Sequence, residues 1–214
     1  MVRGPILDPD RSYTFSNYFD LSAEPDEILA EFGCSLQRQA LELPSLDDRP
    51  ESLATVADLK ASLERRLPLV SLTSEAARRE VLIAPVVLAL IDCTQAQLRI
   101  EYSINVSDRL KGSLDYYLQN QQNLLIIEAK NADLDRGFTQ LAVELIALDQ
   151  WTASEAQRLY GAVSTGNIWQ FGCFDRAQQQ IIQDLNLYRV PADLADLFQH
   201  LVAILTHSPS ESGE

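Results

Sequence analysis

Apolar residues recur along this 214-residue chain with two different periods. Leu53, Val56, Leu59 and Leu63 fall at helical spacing and predict a helix over 52–66, ended by Pro68. Upstream, a short helix is predicted over 24–32, with Ser22 as its N-cap and Gly33 at its stop. The stretch LPSLDDRP (43–50) is rich in turn formers and reads as a surface loop. Ser74 is an N-cap signal for a long helix, SEAARREVLIAPVVLALI. Glu75 sits in its first turn, where the dipole favours an acid, and Pro85 should kink it. Its apolar part, 81–91, is too short to cross a bilayer and reads as a buried helix.

The period then drops to two. QLRIEYSINV (97–106) alternates apolar and polar residues as a strand does, and GSLDYYLQN (112–120) and NLLIIEA (123–129) predict two more. GFTQLAVELIALDQW (137–151) is an amphipathic helix. YGAVSTGNIWQFGCF (160–174) reads as a hairpin turning at Thr165-Gly166-Asn167. A strand near 181–188 and a helix over 192–206 follow, then a frayed tail, 207–214. Trp151, Trp169 and Phe171 are expected in the core. Helix, three strands, helix, two strands predicts an α/β fold with a mixed sheet flanked by helices. Residues 1–70 would form a helical and loop elaboration packed on a domain spanning 71–206.

Charge narrows the function. Lysine plus arginine total 17 against 31 acidic residues, a formal charge of −14, and 13 of the acids precede Ser74. Such a chain is repelled by nucleic acid and anionic membranes unless bound cations or a few aimed basic groups act locally. The acidic N-terminal region could instead meet a protein partner. Cys34, Cys93 and Cys173 are far apart and lack CxxC spacing, which argues against zinc or a disulfide framework and fits a reducing cytoplasm. His200 and His207 fall near the terminal helix as polar or half-buried residues. Metal chemistry would therefore use oxygen ligands and favour Mg²⁺ or Mn²⁺. MVRGPILDPDRSYTF has no apolar core of the kind a secretory signal needs.

The chemistry concentrates at the end of NLLIIEA. Glu128 and Lys130, at i and i+2, share one face of a strand, and charges beside Leu124–Ile127 are costly unless paired or metal-bound. If Gln121-Gln122 makes a two-residue turn, Asn120 pairs with Asn123 and Asp115 falls opposite Glu128. Two carboxylates that close are stable when a divalent cation lies between them or one is protonated. That grouping suits metal-assisted phosphodiester hydrolysis, with the cation and Lys130 stabilising developing charge. The same spacing also suits a structural Asp–Lys–Glu ion pair, or charges at a solvent-facing sheet edge.

From Ser74 to Gly172, somewhat under half the chain, the sequence resembles the PD-(D/E)xK nuclease superfamily. The likeness is greatest to the nuclease domain at the N-terminus of type I restriction enzyme motor subunits. SEAARREVLIAP resembles that family's first helix, with its early acid, Arg79 and the Ile-x-Pro. GSLDYYL resembles the strand carrying a metal-binding aspartate, LLIIEAK supplies the glutamate and lysine, and VSTGNIWQFG resembles the following hairpin. The resemblance implies a restriction-endonuclease-like core. It also implies that Asp115, Glu128 and the Ala129 carbonyl hold Mg²⁺ (Mn²⁺ as substitute), that Lys130 assists the attacking water, and that Gln140 positions substrate or water. The family's first-helix acid maps onto Glu75, with Glu80 as the alternative. Some relatives carry a tyrosine where this chain has Glu144, and no GxxxxGK[ST] motor loop is present. The implied activity is a cytoplasmic Mg²⁺-dependent nuclease acting on DNA, and the resemblance suggests a homodimer. The alternative is a catalytically silent binding or scaffold protein on the same fold.

Overall fold

A computed structural model describes residues 6–45, 50–130 and 133–206. The 207–214 tail with His207, residues 46–49 of the expected 43–50 loop and the Leu53 side chain lie outside the described residues. The chain is mixed α/β: among the described residues eight strands form one mixed sheet, and helices cover both its faces. The strands are β1 (Ser35–Gln39), β2 (Gln97–Ser107), β3 (Leu110–Asn120), β4 (Asn123–Ala129), β5 (Arg158–Ser164), β6 (Ile168–Asp175), β7 (Gln180–Asp184) and β8 (Tyr188–Arg189). Their spatial order is β1-β7-β6-β5-β4-β3-β2, with β8 on β6. Only β4–β5 and β1–β7 run parallel; the other pairs are antiparallel.

The helices are α1 (Phe15–Asp20), α2 (Pro25–Ala30), α3 (Pro50–Arg66), α4 (Glu75–Arg78), α5 (Ala84–Thr94), α6 (Leu134–Trp151) and α7 (Leu194–Thr206). β4 alternates between two apolar layers. Leu125, Ile127 and Ala129 join the core under α3, α5 and α7, whereas Leu124 and Ile126 face α6 with α1 and α2 behind it. A strand covered on both faces reads as an unbroken apolar run, which explains LLII.

Several expectations are corrected. The N-terminal segment does more than decorate the core, because β1 extends the sheet by pairing in parallel with β7. α2 starts at Pro25 with Glu24, not Ser22, as its N-cap, while Gly33 does take the left-handed conformation (φ +73°). Ser74 caps α4 by accepting from the Ala77 N–H at 3.1 Å. The helix then widens into a π-turn, Arg79–Ile83, before α5. In that turn the Ala84 N–H reaches back five residues to the Arg79 carbonyl. Pro85 has no N–H to donate and follows directly, so the wider turn absorbs the disruption expected there. Trp169 and Phe171 are buried as expected, but Trp151, the last residue of α6, is 45% exposed. Its indole nitrogen donates outward to the Tyr102 hydroxyl at 3.3 Å.

Glycine is required where α6 presses on the sheet. A Cβ on Gly172 would stand 2.6 and 2.8 Å from two Phe138 ring carbons and 3.2 Å from the Ile182 carbonyl oxygen. The backbone oxygen cannot move aside without breaking a strand. Gly172→Ala should therefore cost about 1–3 kcal/mol, the range for overpacking a core. A thermal melt showing unchanged stability would contradict this packing.

Candidate metal and phosphate site

The β3–β4 hairpin sets the geometry. Gln121 takes a left-handed φ of +53° in the two-residue turn, and Asn120 pairs with Asn123 as the sequence count required. The ladder continues to Tyr116–Ile127 and stops one pair before Asp115 and Glu128. Asp115 therefore does not oppose Glu128 as a regular cross-strand pair. Its Oδ2 instead accepts from the Ala129 N–H at 2.9 Å, taking the place of the next backbone partner where the strands part. On the other side of β3, Ile100 pairs with Tyr116 and Tyr102 with Leu114, leaving Glu101 across from Asp115. Glu101 has φ +51°, a conformation that costs a residue with a side chain energy and is enriched at functional sites.

Glu128 is 2% exposed and sits at the centre of a polar cluster. Lys130 donates to its Oε1 at 2.6 Å, and the Gln140 amide nitrogen reaches the same oxygen at 2.6 Å. Gln140 also donates to Glu144 Oε1 at 2.8 Å. Gln140 and Glu144 are one helical turn apart on α6, which puts both side chains over the end of β4. Gln140 thus holds Glu128 in position, its amide nitrogen donating to both carboxyl groups. Three buried oxygens in this cluster, Glu128 Oε2, Glu144 Oε2 and Gln140 Oε1, have no hydrogen-bond partner.

Burial, then the Asp115 charge, pushes the Glu128 carboxyl up to about 7, against the opposing pull of Lys130. Burial, then Glu128, raises Glu144 well above the ordinary carboxylate range. Burial works against the Lys130 ammonium, yet the Glu128 carboxylate beside it raises its pKa. The Lys130 ammonium also lies 5.1 Å from the centre of the Phe19 ring, which α1 brings over the site.

The first helix contributes Arg79. Its guanidinium lies 3.5 Å from Asp115 Oδ1 and 3.6 Å from Glu101 Oε1, with the Tyr116 ring 5.4 Å away. Glu75 remains in the first turn of α4, half-buried, and no hydrogen bond or ion pair joins it to Asp115, Glu128 or Lys130. Glu80 is exposed and close enough to Tyr116 to raise its hydroxyl pKa, behind the larger effect of burial. Glu101 and Glu144 are site residues that sequence reasoning did not assign.

The donors suit a hard cation: carboxylate oxygens and buried acceptors lacking a partner. Among the described residues, however, no three His, Cys, Asp or Glu side chains come together as a metal-holding group. The fit therefore rests on Asp115, Glu128 and the Ala129 carbonyl. A separate open cleft of about 820 Å³ lies at the other end of β4, lined by Gln122, Arg158, Tyr160 and Asp175 among others, and contains none of these residues. His200 is half-buried on α7, its Nδ1 2.9 Å from the Pro44 carbonyl oxygen and away from the cluster. No helix among the described residues is long and apolar enough to cross a membrane.

Compared with known proteins, the chain matches no family model, no curated protein and no solved structure.

Proposed function

We propose that this chain is a Mg²⁺-dependent nuclease of the PD-(D/E)xK type, with a restriction-endonuclease-like core and DNA as its substrate. The observation that carries the reading is the Asp115 carboxylate on the Ala129 N–H, next to Glu128 at the end of one hairpin, with Lys130 on Glu128 at 2.6 Å. Asp115, Glu128 and the Ala129 carbonyl would hold the ion. When bound, Mg²⁺ supplies charge stabilisation at a phosphoryl oxygen and acidifies water for attack.

The chain's own residues supply the rest. Lys130 has three N–H donors. One stays on Glu128, leaving others to orient the attacking water and stabilise the phosphorane-like transition state. Water adds to phosphorus as the bond to the leaving sugar oxygen breaks; the water loses a proton to solvent and the leaving oxygen gains one. Gln140 keeps Glu128 aligned. Phe19 and the apolar layers around β4 shield the ammonium from bulk water.

A second reading, a silent nuclease fold used for binding, draws support from Arg79, which already provides Asp115 with a positive partner. Incubating the protein with supercoiled plasmid separates the two. The nuclease reading predicts nicking that requires Mg²⁺ or Mn²⁺, stops with a chelator, resumes when metal is restored, and disappears in Asp115→Asn. Nicking that persists in Asp115→Asn would place the activity elsewhere. A folded protein with no nicking under either metal would favour the binding reading.

A further inference from the structure

Arg79 is held at the site by an arrangement that no local rule requires. It opens the π-turn Arg79–Ile83, an irregularity often found at functional positions. Its side chain is 19% exposed and lies against both Asp115 and Glu101. Glu101 occupies the strained left-handed conformation in the strand position across from Asp115. The two ion-pair distances, 3.5 and 3.6 Å, exceed the roughly 2.7–2.9 Å of charge-assisted hydrogen bonds, so neither carboxylate locks the guanidinium in a bidentate fork; the Tyr116 side chain is its hydrogen-bond partner. A planar cation with donors to spare is the usual partner of a phosphate.

We propose that Arg79 is an exchangeable counter-ion: it neutralises Asp115 while that carboxylate has no other cation, and passes to a phosphate oxygen of the nucleic acid once a divalent ion takes Asp115. This inference rests on the nuclease reading and adds a substrate-positioning residue to it. Glu101 keeps the guanidinium at the site during the exchange, since its carboxylate remains a partner after Asp115 is taken. Arg79 thereby opposes ion binding and favours substrate binding. A structural strut would not act in opposite directions on the two ligands.

The test measures both affinities. Mn²⁺ binding is followed by calorimetry without nucleic acid, and duplex DNA binding by fluorescence anisotropy in Ca²⁺, which supports binding in place of Mg²⁺. Wild type is compared with Arg79→Ala, Arg79→Gln and Asp115→Asn, each checked for fold by circular dichroism. Both Arg79 variants should bind Mn²⁺ about tenfold more tightly, because a like charge beside the ion has gone. They should bind the duplex about tenfold more weakly, because a charge-assisted phosphate contact has gone. Arg79→Gln keeps the side-chain length and serves if the alanine variant does not fold. Mn²⁺ binding that Asp115→Asn abolishes while both Arg79 variants leave it unchanged overturns this inference alone, as do both affinities shifting in the same direction. If wild type and the Arg79 variants all fail to bind Mn²⁺, the nuclease reading falls and this inference with it.

Discussion

Lys130→Ala should lower Mg²⁺-dependent cleavage by about 10²–10⁴-fold, the range for a lost positioned acid, base or charge-stabilising group. The ammonium is 2.6 Å from Glu128 and mostly buried, so water cannot replace it cheaply. The same change removes the positive charge that opposes burial and Asp115 in setting the Glu128 pKa. Glu128 should then hold its proton to higher pH and become a poorer cation ligand near neutrality. Mn²⁺ affinity at pH 7 should fall along with the rate and recover partly at pH 8.5, because the proton Glu128 keeps outweighs the like charge removed from beside the ion. Lys130→Arg keeps the charge but not the compact ammonium geometry; it should restore metal binding more than turnover. Cleavage by Lys130→Ala within tenfold of wild type, with fold confirmed, would remove Lys130 from the mechanism.

The hairpin that carries the site was readable because its information is local. Gln121-Gln122 sets the register between neighbouring strands, and a two-residue turn leaves little freedom to slip. The register holds through Tyr116–Ile127, and the ladder ends one pair short of Asp115 and Glu128. There the Asp115 carboxylate substitutes for a backbone partner. Nothing in the residues around Asp115 marks that departure, and nothing marks the left-handed Glu101 across from it on β2. β1 was missed for a different reason. SLQRQ is short, mostly polar and pairs with residues about 145 positions away, so neither its periodicity nor its neighbours announce a strand. Glu144 did leave a signal: a carboxylate among Leu141, Val143, Leu145 and Ile146, all buried on α6. An acid in a helix with little polar face needs a partner inside the protein. Reading it only as a departure from the family's tyrosine hid the Glu144–Gln140–Glu128 chain that the structure displays.

That chain makes stability depend on pH in a direction opposite to that of most surface carboxylates. Glu128 is raised from an ordinary 4.5 to about 7 in the folded protein, and Glu144 is raised as well. The folded state therefore binds more protons than the unfolded state between these limits. The resulting stability is complete below about pH 4.5 and is lost as pH rises through 7. For Glu128 alone the loss is on the order of 3 kcal/mol by pH 8, or roughly 6–12 °C in melting temperature for a domain of this size. Glu144→Gln replaces a fully buried ionisable group with a neutral isostere. Its oxygen can still accept from Gln140, and its new N–H₂ can serve the partnerless Gln140 oxygen. The variant should melt close to wild type in acid, where burial favours the neutral Glu144 carboxyl, and above it at pH 8. Its melting temperature should fall less steeply with pH, because removing the second carboxyl also lowers the pressure on Glu128 to keep its proton. Added Mg²⁺ should flatten the wild-type slope too, since a cation favours the ionised carboxylates that alkaline pH otherwise leaves buried and uncompensated. Equal pH slopes for wild type and Glu144→Gln in metal-free buffer would mean that the cluster does not govern the titration and that Glu144 carries no strain into the site.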